Sequence, residues 1–216
     1  EFNGGYALRM RQCWDYEQLC ADHALRLSMR VDGRGGPIWQ RIDALLVAGD
    51  VFDAINPSGD AQRLLYESIA SFHSANPRLQ IVMTAGNHDP AQRLEAPEAV
   101  LAALGVHVIG TLRHGSDGVD MDRHLIGLRD SSGTPRAHVL AVPFLRAGDL
   151  PGLQLGATGG AEPAVTAAAR ALHLAMSGAA AARANGLPVL AMGHLSWAGG
   201  LECEGAERRI LIGGEQ

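Results

Sequence analysis

An α/β fold is predicted, on three observations. Short apolar runs of strand length alternate with longer stretches of helical periodicity, Gly- and Pro-rich breaks separate them, and one unit reads cleanly as strand, helix, strand. That unit is a run at 44–48 (ALLVA), a helix at 61–74 and a run at 81–85 (IVMTA). A βαβ crossover of this kind joins parallel strands and is right-handed.

The first helix rests on the stripe Leu64, Leu65, Ile69 and Phe72, and a second helical stripe is formed by Leu94, Val100, Leu101 and Leu104. Further strands are expected at 106–109, 124–128, 139–142, 189–192 and 210–212, all short and apolar, with AHVLAVPFL at 137–145 around the third of these. A long helix is expected over 162–184: it is Ala-rich, carries Pro163 near its start and stops at Asn185-Gly186, residue types that tolerate a left-handed C-terminal cap. Loops are expected at 33–37, 131–135 and 148–160, and no internal repeat is visible.

Composition fits one ordinary globular domain. The 216 residues are 47% hydrophobic and 19% charged, and a chain of this length buries roughly 70% of its unfolded surface. All 18 basic residues are Arg, a compositional bias rather than a functional sign. The formal net charge of −5 argues against a free-standing nucleic-acid binder, although bound divalent cations would change the balance locally. Cys13, Cys20 and Cys203 form no CxxC spacing, so reduced thiols are expected rather than a zinc knuckle or a disulfide framework. With no signal peptide and no apolar run of membrane-spanning length, a cytoplasmic location is the default. The chain opens at Glu1-Phe2 without Met, so a missing N-terminal piece is expected.

In α/β sheets ligands bind beyond the carboxyl ends of the strands. The run at 44–48 is followed by Gly49-Asp50-Val51-Phe52-Asp53, the run at 81–85 by Gly86-Asn87-His88-Asp89, and the run at 187–192 by Gly193-His194. Each Gly lets the chain turn sharply on leaving the sheet. Carboxylate, amide oxygen and imidazole can then converge, a thiolate-free donor set suited to Mn²⁺, Mg²⁺, Fe²⁺ or Zn²⁺. Taken singly, Gly-Asp is ordinary turn chemistry and a lone His is more often a hydrogen-bonded core residue. The three in chain order at one sheet edge are what point to a metal site.

The order GDVFD, GNHD and GH after a strand resembles the calcineurin-like metallophosphoesterases. The stretches GNHDPAQRLEAP, GHLSWAGG and the closing 210–216 are similar to the SbcD-type branch, bacterial relatives of the Mre-type DNA repair nucleases. The resemblance implies an α/β metallophosphoesterase sandwich flanked by helices in four α/β/β/α layers, with two divalent metal ions, most simply Mn²⁺. It implies that Asp50 bridges the ions, that Asn87 and His194 each bind one, and that His88 faces the substrate. It implies hydrolysis of DNA phosphodiester bonds in repair, a coiled-coil ATPase partner of the SbcC type and a possible homodimer. The chemistry is consistent, because two ions clamp a phosphoryl group and activate water while an adjacent imidazole protonates the leaving oxygen. Asp89 is expected either to orient His88 or to serve a turn, and Asp53 leans structural. Arg93 is expected to contact DNA phosphate or to pair with Glu95 or Glu98.

The family's opening Asp-x-His and closing Gly-His-x-His have no counterparts in these positions. Asp22-His23 lacks the spacer, and Asp122-Arg123-His124 falls out of order and is read as a loop entering a strand. The chain is therefore expected to be a fragment rather than a degenerate homologue, and to bind metal poorly in isolation. GDVFDAI and GNHD differ from the GDxVDRG and GNHE of the protein phosphatases. A small-substrate phosphodiesterase and a non-catalytic assembly module remain the alternatives.

Overall fold

The computed structural model describes residues 42–115, 118–150 and 164–195. Three parallel strands, β1 (Ala44–Ala48), β2 (Gln80–Thr84) and β3 (Val106–Ile109), form one sheet in that order. The second sheet has β6 (Leu125–Arg129), β7 (Pro135–Val142) and β8 (Val189–Gly193), with β6 antiparallel and β8 parallel to β7. A small ribbon, β4 (His114–Gly115) with β5 (Gly118–Val119), lies between them in sequence.

Alternation along the strands sorts side chains into three cores. On the outer face of the first sheet, Ile81, Met83, Val106 and Val108 meet Leu65, Ile69 and Phe72 of helix α1 (Gly59–Ala75). Between the sheets, Val82 and Ile109 pack with Ile126, Leu128, Val139, Ala141 and Met192. On the far face, Leu140 and Val142 meet Leu172, Met176 and Ala180 of the Ala-rich helix α5 (Ala164–Arg183). Period-two strands between helical layers give the four α/β/β/α layers directly.

Helix α1 starts where Ser58 accepts a hydrogen bond from the Ala61 amide and Asp60 complements the positive end. It stops at Asn76, whose side chain donates to the Ile42 carbonyl. The second helical stripe is realised as two short helices, α2 (Ala91–Glu95) and α3 (Glu98–Ala102), each preceded by a proline. Pro97 has no N–H to continue the ladder, so the helix restarts there.

Two boundaries correct the sequence reading. The strand expected at 124–128 begins at Leu125, because His124 closes the short helix α4 (Met121–His124), which is capped by Asp120. Asp122-Arg123-His124 is thus a helical turn rather than a loop, and its side chains are structural. Asp122 pairs with Arg183, Arg123 with Glu95 and Glu98, and buried His124 donates from Nδ1 to the Ala141 carbonyl while Nε2 accepts from the Arg113 amide. The strand expected at 81–85 shifts by one residue, to Gln80–Thr84.

The strand expected at 210–212, the stretch 196–200 of GHLSWAGG, the three cysteines, Asp22-His23, the loop at 33–37 and most of 148–160 lie outside the described residues. Among the described residues, no helix is long and apolar enough to cross a membrane.

Candidate metal centre

Strands β1, β2 and β8 deliver their loops to one edge, and glycines let those loops touch. Gly49 (φ +84°) and Asp50 (φ +47°) both adopt left-handed backbone, which swings the chain off β1. A Cβ on Gly49 would lie 2.5 Å from the His194 ring, and one on Gly86 would collide with the Asp50 carboxylate and amide. Side chains from one loop therefore sit against bare backbone of the next.

Three of the sequence-predicted residues converge. Nε2 of His194 lies 3.0 Å from Asn87 Oδ1 and 3.4 Å from Asp50 Oδ2. The other ring nitrogen, Nδ1, is 3.1 Å from the Ala48 carbonyl, which can only accept, so Nδ1 carries the proton. In the neutral ring, Nε2 then turns a lone pair toward two oxygens. Three electron-rich atoms facing one another without a proton between them form an arrangement that a cation satisfies. An imidazole that donates its far N–H to a carbonyl is also how metal-ligating histidines are commonly oriented. The donor set fits a hard or borderline divalent ion. Among the described residues no group of three or more His, Cys, Asp or Glu is placed to hold a metal; this triad counts only two of those types, with Asn87 as the third donor.

His88 sits beside the triad. Its amide donates to Asp50 Oδ1 at 3.1 Å, and its ring Nδ1 donates to the Asp53 carbonyl at 2.9 Å. Asp53 thus contributes its backbone to the site and holds the imidazole with Nε2 as the proton-accepting end. That orienting contact corrects one expectation for Asp89. Its fully buried carboxylate accepts from the amides of Val51 (3.0 Å), Phe52 (2.7 Å) and Gly86 (2.7 Å), tying the Asp50 loop to the Asn87 loop rather than holding the His88 ring. Burial pushes the Asp89 carboxyl above its ordinary value; the three amides oppose this, and nearby Asp50 adds to it.

Arg93 on α2 donates to Asn56 Oδ1 at 3.0 Å. It pairs with neither Glu95 nor Glu98, both of which are taken by Arg123. Glu95 is buried and also accepts from the Gly110 and Thr111 amides.

Sequence reasoning missed a fourth strand end. Phe144, just past β7, donates from its amide to the Ala85 carbonyl at 2.8 Å and sets its ring edge-on to His194 at 6.4 Å between centroids. Its signal was the Pro-Phe that closes AHVLAVPFL, hidden because that strand ends in apolar rather than polar residues.

Comparison with known proteins follows the same geometry. Residues 24–140 match the family model described as calcineurin-like phosphoesterase. The chain is 68% identical over 176 residues to the SbcD subunit of the SbcCD nuclease of Rhodobacter capsulatus, an alignment covering 82% of this chain and 44% of that protein. It is 31% identical over 176 residues to the Escherichia coli K12 subunit of the same name, covering 80% and 41%. A separate 46-residue match, 67% identical, is to the DNA polymerase III alpha subunit of Xylella fastidiosa, covering 21% of this chain and only 4% of that protein. The chain spans less than half the length of the two nuclease subunits. The family match covers more than half of the chain, and with it the loops that carry Asp50, Asn87 and His88: the chain belongs to the calcineurin-like phosphoesterase family.

Proposed function

We propose that this domain hydrolyses DNA phosphodiester bonds as a metal-dependent nuclease of the SbcD type. The observation that carries the proposal is the meeting of Asp50 Oδ2, Asn87 Oδ1 and His194 Nε2 at strand ends from both sheets. Family membership makes divalent-metal chemistry the expectation, and Mn²⁺ is the ion we name. Bound there, divalent ions supply Lewis-acid polarisation of a phosphoryl oxygen and a water acidic enough to attack near neutral pH.

The chain's own residues do the rest. Asp50 offers one carboxylate oxygen to the triad and anchors the His88 amide with the other, so metal binding and imidazole position share one side chain. His88, held at Nδ1 by the Asp53 carbonyl, uses Nε2 to hold or deliver the proton that the leaving oxygen requires. Asp89 fixes the spacing of the two loops that carry these groups. Arg93 stands ready for substrate phosphate beside Asn56.

The relatives' names place them in a two-subunit nuclease. By that likeness we propose DNA as substrate, an SbcC-like ATPase as partner, a homodimer and a cytoplasmic setting. The test assays full-length protein with Mn²⁺ on double-stranded DNA and on bis(p-nitrophenyl) phosphate, alongside His88→Ala. DNA cleavage that falls by about 10²-fold or more in His88→Ala supports the reading. Cleavage of the small diester alone makes it a small-substrate phosphodiesterase. No cleavage and no metal binding make it an assembly module.

A further inference from the structure

The site has one side that the metal triad and His88 do not account for. Beyond β7 the chain runs Pro143, Phe144, Leu145, Arg146 before a single 3-10 turn at Ala147–Asp149. This segment is held firmly. Pro143 is fully buried, the Phe144 amide is bonded to the carbonyl of Ala85, the residue before Gly86-Asn87, and the Arg146 amide donates to Asp149 Oδ2 at 2.7 Å.

On this fixed backbone two side chains form a short stack that starts at the metal triad. The His194 ring meets the Phe144 ring edge-on, and the Arg146 guanidinium carbon lies 5.9 Å from the centre of the Phe144 ring. Phe144 is half-buried and Arg146 is exposed. The aromatic ring holds the cation by its π-face, so the guanidinium keeps its donors for another partner. Most other cations near strand ends are already engaged: Arg93 with Asn56, Arg123 with Glu95 and Glu98, and Arg183 with Asp122.

The two centroid distances put the guanidinium no more than about 12 Å from the His194 ring. Along one nucleic-acid strand phosphates recur about every 3.4 Å of helix axis, so this span is a few nucleotides. A chain with net charge −5 that must hold a polyanion beside its own Asp50 needs fixed positive charge at that distance.

We propose that Arg146, stacked on Phe144, is a substrate-contacting residue that receives a backbone phosphate flanking the one at the metal triad. The contact is to phosphate, so it contributes affinity and placement along the strand rather than sequence preference. Phe144 acts as a positioning residue for both Arg146 and the His194 ring. The proposal rests on the nuclease reading for its substrate, and binding can be measured separately from cleavage.

The experiment measures binding of a fluorescent DNA oligonucleotide by full-length protein, by anisotropy across a salt series, for wild type, Arg146→Ala, Arg146→Lys, Phe144→Leu and Arg78→Ala. Arg78 is an exposed arginine at the opposite end of the first sheet, where it donates to the Ser131 carbonyl. Arg146→Ala is expected to weaken binding about five- to tenfold for all sequences tested, and to lower the slope of log affinity against log salt by about one. Lysine should restore most of the slope and part of the affinity, Phe144→Leu should give an intermediate loss, and Arg78→Ala should match wild type. Unchanged affinity and slope in Arg146→Ala overturn the proposal, as does an equal loss in Arg78→Ala or a wild type that binds no DNA. If wild type binds DNA with this dependence on Arg146 yet cleaves none, the nuclease reading fails and the contact stands.

Discussion

Removing the Asp89 carboxylate should destabilise the protein by about 3 kcal/mol or more. The side chain is fully buried and accepts from three backbone amides, those of Val51, Phe52 and Gly86. In Asp89→Ala all three lose their acceptor in a space closed to solvent, and each unsatisfied buried group costs about 1–3 kcal/mol. The lower bound already gives about 3 kcal/mol. Relief of the buried charge offsets part of anything above that. Asp89→Asn keeps one acceptor oxygen but turns an NH₂ group toward the remaining amides, so about 2 kcal/mol is expected. Urea unfolding of full-length protein measures both, with an unchanged m-value showing that the unfolded state is not responsible. Calorimetry with Mn²⁺ should show weaker binding in Asp89→Ala, because the Asp50 and Asn87 loops lose their shared anchor. A loss below about 0.5 kcal/mol with unaltered Mn²⁺ affinity would refute the view that this carboxylate sets the spacing of the loops.

The same geometry has other consequences. Gly86→Ala places a methyl group against Asp50, and should cost about 1–3 kcal/mol and weaken Mn²⁺ binding by calorimetry; a variant that binds as wild type contradicts the close approach. His194→Gln should reduce Mn²⁺ affinity by tenfold or more while Arg136→Ala, bound to Asp130 elsewhere, leaves it unchanged. Burial lowers the pKa of His124, so the unfolded chain takes up its proton first as pH falls below the ordinary value of 6.5. Stability should be at its full value above pH 6.5 and decline below it, and His124→Gln should flatten that part of a pH series of unfolding curves. For Glu95, burial raises the pKa, but the Arg123 hydrogen bond and the Thr111 and Gly110 amides outweigh it, and the net shift is downward. Its contribution is therefore present above 4.5 and lost as pH falls through the lowered value, a loss that Glu95→Gln should remove from the acid limb.

Much of this architecture was legible in the residues themselves. Strands β1, β2, β3, β7 and β8 are apolar runs bounded by breakers, and the Ala-rich helix carries its own stop signal at Asn185-Gly186. What escaped reading depends on contacts made across the chain. The ribbon β4–β5 has two residues per strand and no apolar pattern to find. His124 looks like the first residue of an apolar strand, yet capping by Asp120 gathers it into a helical turn. At the site, Asp50, Asn87, His88 and His194 stand out because polar residues directly after apolar strands have no packing reason to be there. The parts played by Asp53, Asp89 and Phe144 were not readable, because they work through backbone groups or ring contacts whose partners lie tens of residues away. Arg93 shows the same limit: its partner Asn56 lies on a different loop from the two glutamates near it in sequence.

The triad straddles the seam of the sandwich. Asp50 and Asn87 hang from β1 and β2, whereas His194 hangs from β8 in the other sheet. Slipping one sheet past the other by a single residue moves it by about 3.3 Å, comparable to the 3.0 and 3.4 Å separations of the triad atoms. A cation gripping all three therefore recognises only the fully docked pair of sheets. By mass action, free metal at a hundred times its dissociation constant adds about 2.7 kcal/mol to whatever form it selects. Metal occupancy and sheet docking thus form one thermodynamic cycle: chelation should loosen the inter-sheet layer around Val82, Val139 and Met192 before the helical faces, visible as faster amide exchange in β2 and β7.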